Sequence, residues 1–522
     1  MPGSAPPPEE RTHPSLWSRT ATLRSYPQLP GDLEVDVVVV GAGIAGLTLA
    51  LLLKRAGRRV CVLEMHGVGT GQTGQTTSHL TELLDSRYHQ LTSDFGLRGA
   101  RLAASGSRAA IEQMAQLAEE LRADCDFARV PAFLWAEDPR GLSELQREEG
   151  AARDAGLAAH LVSGQEVPLP FTTQGALRVE DQAQLHPRAY LRALADAVQG
   201  DGSHVFERTR VVEVKDGAPA RVLTDRGTLV AHDVVEATTT PLNRLRLHTQ
   251  LYPYRSYAIA ARLEGELAPG LYYDLADPYH YLRTHPLPDG GGTVVIVGGE
   301  DHKVGEVSDT DACFTRLDAW ARSRFSLGEE VARWSGQVIE PADGLPFIGL
   351  NPGGRHVWVA TGFSGTGMTF GTLSAMVLAD LLQGRPNAYA ELFSPSRLTP
   401  SASAKDFVQE NADVAYRFVA DRLRRPDARA LEEVPPGEGR ILELEGRKVA
   451  VFREPGGRCH ALSPACTHLG CHVHWNGAER SWDCPCHGAR YSPTGRVLNG
   501  PAVKDLAAAP LPPQITDAPD PK

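Results

Sequence analysis

The chain has 522 residues, 42% hydrophobic and 22% charged, with 53 Lys+Arg against 64 Asp+Glu for a net charge of −11. These proportions exclude wholesale disorder and a fibrous fold, and at about 150 residues per domain they imply several globular domains. The acidic surplus argues against nucleic acid as the main partner, because phosphate-binding surfaces are basic.

Residues 1–34 are Pro-rich and polar and read as a loose arm. They lack a charged-then-apolar signal pattern, so a cytoplasmic location is expected. The uncharged run Val37–Leu53 is slightly short for a membrane span, which needs about 20 apolar residues. It is also interrupted by Gly41, Gly43 and Gly46. It reads instead as a buried strand, a Gly-rich turn and a helix, followed by a second strand ending at Glu64, which is a βαβ unit. Gly41-Ala42-Gly43-Ile44-Ala45-Gly46 is a G-x-G-x-x-G in the strand-to-helix context that this motif needs. Gly41 permits the tight turn, Gly43 the approach of a pyrophosphate, and Gly46 the packing of helix on strand. The helix start at Ile44 and Ala45 offers N–H groups to phosphate. Glu64, 23 positions after Gly41, is placed to accept hydrogen bonds from ribose hydroxyls.

The motif alone does not choose between FAD and NAD. Two later segments favour a longer cofactor: the loop Gly71–Ser78 with Thr73, Thr76 and Thr77, and a second strand–turn–helix with Gly362, Gly365, Thr366, Gly367 and Met368. A helix beginning near Met368 can stabilise negative charge on a reduced ring. Between them, residues 96–125 have helical composition. Val211–Val214, Val234–Val235, Tyr252–Leu263, Thr293–Val297 and Val357–Ala360 read as strands, and Thr372–Leu382 as a helix.

Residues 395–437 read as a connector with a polar, helix-compatible piece at 404–425. Residues 438–510 read as a small all-β module and 511–522 as a tail. Of eight cysteines, Cys459, Cys466, Cys471, Cys484 and Cys486 crowd into 28 residues. In a cytosolic chain such a cluster points to metal. Cys466 and His468, then fifteen residues, then Cys484 and His487 form C-x-H…C-x-x-H. A Rieske [2Fe–2S] centre takes two thiolates on one iron and two imidazoles on the other. A structural zinc site is the alternative reading of the same four residues.

On the first glycine motif with Glu64, the Thr73–Thr77 loop and the Ala360–Met368 turn, residues 34–390 resemble the D-amino-acid-oxidase-like FAD-dependent oxidoreductases. The resemblance implies FAD on the first βαβ unit, Val211 near the adenine, Ala237 close to the cofactor, and the flavin ring by Gly362–Met368. It implies a Rossmann-like α/β domain with a mixed-sheet α+β substrate domain, at about residues 240–340 within a unit spanning 35–394. The C-terminal module resembles an all-β Rieske domain of the cytochrome bc type. That resemblance implies a Cys471–Cys486 disulfide and a third cluster loop at Gly500-Pro501-Ala502. A serine that follows the Gly488 position in high-potential relatives is replaced by Ala489, which implies a lower potential, while Tyr491 is kept. Ser15-Leu16-Trp17, Gly74–Thr81, Gly298–Lys303 and Asp343–Gly349 are similar to a bacterial group of flavoproteins that end in a Rieske domain.

The two cofactors together suggest an amine or amino-acid dehydrogenase or oxidase. It would take two electrons from a small substrate and pass them singly through the cluster to an unidentified acceptor. An NAD(P)H-dependent reductase feeding a partner ranks lower, because Gly290–Gly292 and Gly298-Gly299 make no second G-x-G-x-x-G. A non-catalytic redox-sensing module is a further alternative. Substrate contacts are sought in Leu251–Tyr257 and Tyr279–Arg283, where an Arg with a Tyr could clamp a carboxylate. Arg255 and Tyr257 are candidates there, with His302 as a possible base, against the alternative that all three serve packing.

Overall fold

The computed structural model describes residues 12–242, 245–397 and 425–511. Strand Leu33–Val40 is apolar on both faces at its end because it lies inside a sheet, between parallel neighbours Thr228–Glu236 and Val60–Leu63. The sheet runs Phe347–Leu350, Val357–Thr361, Thr228–Glu236, Leu33–Val40, Val60–Leu63, His204–Phe206, with two further strands paired at its flank. Helix Ile44–Arg55 connects the first two strands in sequence. It starts so close to the preceding turn that a Cβ on Gly46 would lie 2.0 Å from the Gly41 carbonyl oxygen. Helix Gly367–Leu381 follows strand Val357–Thr361 and crosses the first helix, where a Cβ on Gly371 would meet Ile44 at 2.7 Å. Both helices thus begin beyond the C-terminal ends of parallel strands, where open α/β sheets bind their ligands.

A nine-stranded mixed sheet forms the second layer. Its order is Leu327–Pro341, Leu251–Leu263, Thr293–Lys303, Tyr281–Pro286, Leu271–Tyr273, Ala128–Ala136, Gly175–Gln184, His79–Leu80, with Ala159–Ser163 also paired to Gly175–Gln184. The expected substrate unit at 240–340 therefore supplies only part of this sheet. Ala128–Ala136 pairs in parallel with Leu271–Tyr273, a contact across more of the chain than any local periodicity reports. The helix expected over 96–125 spans Tyr88–Glu120 and is broken at Gly96, whose φ of 69° turns the chain.

The described part of the N-terminal arm is not loose. Leu16 and Trp17 are fully buried, the Trp17 indole N–H donates to the Thr76 carbonyl at 2.6 Å, and the Ser15 hydroxyl donates to that of Gly74 at 2.7 Å. Composition hid this, because two apolar anchors suffice to dock a polar segment.

The C-terminal module has a three-stranded sheet (Gly439–Leu444, Arg447–Arg453, Cys459–Leu462). Its second sheet has four strands (His474–Asn476, Ser481–Asp483, Arg490–Tyr491, Val497–Asn499). Ala428, Leu431 and Val434 pack with Leu442, Val449 and Val451, so the module's core begins inside the segment expected to be a connector. The polar piece at 404–425 lies outside the described residues but for its last one, and so does the tail beyond residue 511. Among the described residues no helix is long and apolar enough to cross a membrane.

Candidate functional site

A single continuous cavity runs along the start of both helices. Gly41, Gly43, Ile44, Ala45, Glu64, Gly71, Thr73, Thr76, Thr77, Val211, Ala237, Gly362, Gly365, Thr366, Gly367 and Met368 all line it. Gly46 does not, and acts in helix–strand packing instead. Gly41 has φ 107°, and a Cβ there would lie 2.5 Å from the Ala237 carbonyl oxygen, so both the turn and the close approach require glycine. Glu64 is held by the Ala42 and His66 N–H groups at 3.0 and 2.9 Å, which orients its carboxylate at the cavity wall. The Thr73 hydroxyl accepts from Ile44 N–H at 3.1 Å and pins the second loop to the first helix. The Trp334 indole N–H donates to the Gln75 carbonyl at 2.7 Å, bracing that loop from behind. Side-chain-free walls, two helix N-termini and an oriented acid together fit a dinucleotide stretched between them.

In the C-terminal module the four predicted metal ligands converge. The His468 and His487 rings lie 5.0 Å apart and perpendicular. Cys466 and Cys484 are both buried, and their thiols are hydrogen-bonded to one another. That contact, against burial and with the Tyr491 hydroxyl 3.1 Å from Cys466 Sγ, holds the Cys466 thiol below its ordinary pKa. Burial, then the neighbouring His248, lowers His468 to about 4, and burial likewise lowers His487 to about 3. Both imidazoles are therefore neutral at pH 7, the form that binds metal. His468 Nδ1 is buried without a hydrogen-bond partner, as expected of an atom whose partner is a metal ion. Cys471 and Cys486 form a disulfide behind the site. A pair of thiols and a pair of neutral imidazoles fit a cluster ligated half by sulfur and half by nitrogen.

The FAD dependent oxidoreductase family model matches residues 36–381 and the Rieske [2Fe-2S] domain model residues 426–510. The chain belongs to the FAD dependent oxidoreductase family, with a Rieske domain at its C-terminal end. It is 32% identical over 496 residues to the protein of Bacillus subtilis (strain 168) that carries the name Rieske 2Fe-2S iron-sulfur protein YhfW, covering 94% of this chain and 96% of that one. It is 25% identical over 417 residues to gamma-glutamylputrescine oxidoreductase of Escherichia coli (strain K12), covering 76% and 95%. Glycine oxidase from Geobacillus kaustophilus shares the fold, with a TM-score of 0.60 at 22% identity over 70% of this chain and 99% of that structure. FAD and one Rieske cluster are the cofactors of this oxidoreductase.

The Rieske domain is seated on the flavin domain through buried polar contacts. Arg255 in the substrate sheet pairs with Asp483 at 3.3 Å, with side-chain exposures of 1% and 6%, and donates to the Ser335 hydroxyl at 2.8 Å. Ser335 in turn donates to Glu479 at 2.6 Å, and Arg490 closes the network onto Glu479 and Asp483. The Gln337 amide donates to the Gly488 carbonyl at 2.9 Å and accepts from Asn499 at 3.0 Å. Gly488, after His487, has φ 74°, and a Cβ there would lie 2.8 Å from Pro253 Cβ, so the turn and the domain contact both favour glycine. His248 of the flavin domain lies 4.7 Å from the His468 ring and 5.5 Å from that of His487. Leu498, Asn499, Gly500, Ala502 and Val503 complete the wall of the flavin cavity.

These contacts correct the candidate substrate residues. Arg255 does not reach the cavity and is consumed by the domain interface. Arg283 is fully buried and braces the Thr77 and Leu185 carbonyls at 2.6 and 3.0 Å. His302 is hydrogen-bonded to the Tyr257 hydroxyl at 3.0 Å and to the Lys303 carbonyl at 2.9 Å, and it stands behind the cavity wall. Burial lowers its pKa. Tyr257 does line the cavity, beside Ser256, Tyr273, Tyr279, Tyr281, Asp85 and Asp301. The two aspartates were missed, since a lone acid in a strand or loop carries no spacing signal.

Proposed function

We propose that this oxidoreductase oxidises a C–NH bond of a small amine or amino acid and passes the two electrons one at a time through the Rieske centre to an external acceptor. The observation that carries this reading is the shared wall. Rieske residues Leu498, Asn499, Gly500, Ala502 and Val503 line the same cavity as the FAD cradle, and Gln337 joins that wall to Gly488, next to His487. Among the relatives, a gamma-glutamylputrescine oxidoreductase and a glycine oxidase carry an amine and an amino acid in their names.

In this reading the Ala45 N–H binds the pyrophosphate beside the Thr73 hydroxyl that holds Ile44, and Glu64 accepts from ribose hydroxyls. The N-terminus of helix Gly367–Leu381 offers positive potential to the ring. Cys466, Cys484, His468 and His487 hold the iron pair, and the Tyr491 hydroxyl donates to Cys466 Sγ. Bound FAD supplies a two-electron acceptor and the bound cluster a one-electron carrier. The buried Arg255–Asp483 network holds the Rieske domain against the flavin domain.

The test is anaerobic mixing of the holoenzyme with a panel of amines and amino acids. Flavin absorbance and the EPR signal of the reduced cluster are followed in the same samples. Bleaching followed by cluster reduction is expected. Bleaching with a cluster that stays oxidised would overturn the electron route, and no bleaching across the panel would overturn the activity.

A further inference from the structure

The end of the cavity away from Glu64 is acidic and aromatic. Asp301 enters it from strand Thr293–Lys303 and Asp85 from the loop after His79–Leu80, while Tyr273, Tyr279 and Tyr281 form the walls. Asp85 is engaged by the Gly365 N–H at 2.6 Å and faces the Tyr279 hydroxyl at 3.5 Å. Asp301 is different. Its Oδ1 is buried and accepts no hydrogen bond from the protein. The Ser256 hydroxyl beside it is shared with Tyr281, at 2.7 Å. A buried carboxylate oxygen without a donor is costly unless a ligand supplies one.

Arg87, outside the lining, acts on Asp85, but among the described residues no positive side chain answers Asp301. Among the described residues lining the cavity the only arginine or lysine is Arg210, beside Val211, where it pairs with Asp505 at 2.7 Å. His79 lies at the acidic end, but burial keeps it neutral. Recognition of an α-carboxylate calls for an arginine or an equivalent set of donors. Arg255 and Arg283, the two arginines nearest in sequence to the cavity tyrosines, are committed to the interface and to backbone carbonyls.

We propose that the substrate is a cationic amine lacking an α-carboxylate, and that Asp301 binds its ammonium group between the faces and hydroxyls of Tyr273, Tyr279 and Tyr281. The ammonium supplies the donor that Asp301 Oδ1 lacks, and the tyrosine rings add cation–π attraction. A zwitterionic amino acid would bring its carboxylate against Asp85 and Asp301 with no lining arginine or lysine at that end to pair it. This inference deepens the amine or amino-acid reading above and rests on it.

Binding and turnover separate the two claims. Neither tert-butylamine nor 2-aminoisobutyrate has an α C–H bond, so neither can be oxidised, and they differ by exchange of a methyl for a carboxylate. In calorimetric titrations of the holoenzyme, tert-butylamine is expected to bind at least about tenfold more tightly than 2-aminoisobutyrate. Asp301→Asn is expected to erase that preference while flavin absorbance and cluster EPR stay unchanged. Equal or tighter binding of 2-aminoisobutyrate to the wild-type protein overturns the proposal whether or not the variant folds. An unchanged amine affinity in a folded Asp301→Asn variant also overturns it. Anaerobic bleaching by butylamine and 1,4-diaminobutane, but not by their carboxylated counterparts norvaline and ornithine, is the expected turnover pattern. Bleaching by the amino acids alone overturns the amine assignment and leaves the oxidoreductase reading intact. Bleaching by none of the four overturns the parent reading.

Discussion

The cluster site and the acidic end of the flavin cavity are assembled in opposite ways. The four proposed cluster ligands and the disulfide come from two loops within residues 466–487. Each loop is short enough that residue type and spacing alone define which atoms can share a metal. The acidic end gathers Asp85, Ser256, Tyr273, Tyr279, Tyr281 and Asp301 from separate segments of the chain. Their meeting depends on strand Leu251–Leu263 pairing with Thr293–Lys303, and on that strand pairing in turn with Tyr281–Pro286. A metal site advertises itself because coordination fixes a narrow set of distances. An organic substrate site is defined by shape and by which charges are left unanswered, and neither leaves a repeat in the sequence.

Removing a ligand tests the local half of this comparison most severely. Cys484→Ser should abolish the cluster EPR signal. It should slow electron delivery to a one-electron acceptor by more than about 100-fold, since losing a residue behind a ligand already costs about 10–100-fold. Substrate bleaching of the flavin should persist in that variant.

Arg255→Met tests the long-range half. It removes one partner of a buried ion pair, a change worth about 3–5 kcal/mol, and the lower end applies because Arg490 still pairs with Asp483. Thermal unfolding should report this loss. A substrate-clamping Arg255 would instead raise KM and leave stability unchanged.

Asp301 also makes a pH prediction. Burial is the main cause that raises its pKa to about 7, the charges of Asp85 and Glu300 add to it, and the Ser256 hydroxyl opposes it. Tyr279 and Tyr281 face it as neutral phenols, because burial raises their pKa values. A carboxyl with this pKa is neutral below it and loses its hold on an ammonium ion. The kcat/KM for amines should therefore fall about tenfold per pH unit below 7, and Asp301→Asn should flatten that limb.

The smallest effects concern the cluster's potential. Tyr491→Phe removes the hydroxyl 3.1 Å from Cys466 Sγ. Hydrogen bonds to the sulfurs favour the reduced, more negative cluster, so this change should lower the midpoint potential. Ala489→Ser should raise it. One such bond is worth about 1.4 kcal/mol, or about 60 mV for a single electron. Protein-film voltammetry would measure both shifts.

Much of the molecule was legible without a structure because its information is local. Gly41, Gly43 and Gly46 are dictated by backbone approach within one turn. The alternation of short strands marks the β module, and Cys466, His468, Cys484 and His487 are dictated by coordination. Tertiary structure alone decided that Ser15 and Trp17 clamp the Gly/Thr loop, that Arg255 holds two domains together, and that Asp301 faces a cavity without a counter-charge. A charged side chain reads the same in a string of letters whether it meets a substrate, a partner domain or water. The difference lies in what long-range packing brings against it and how far that packing excludes solvent.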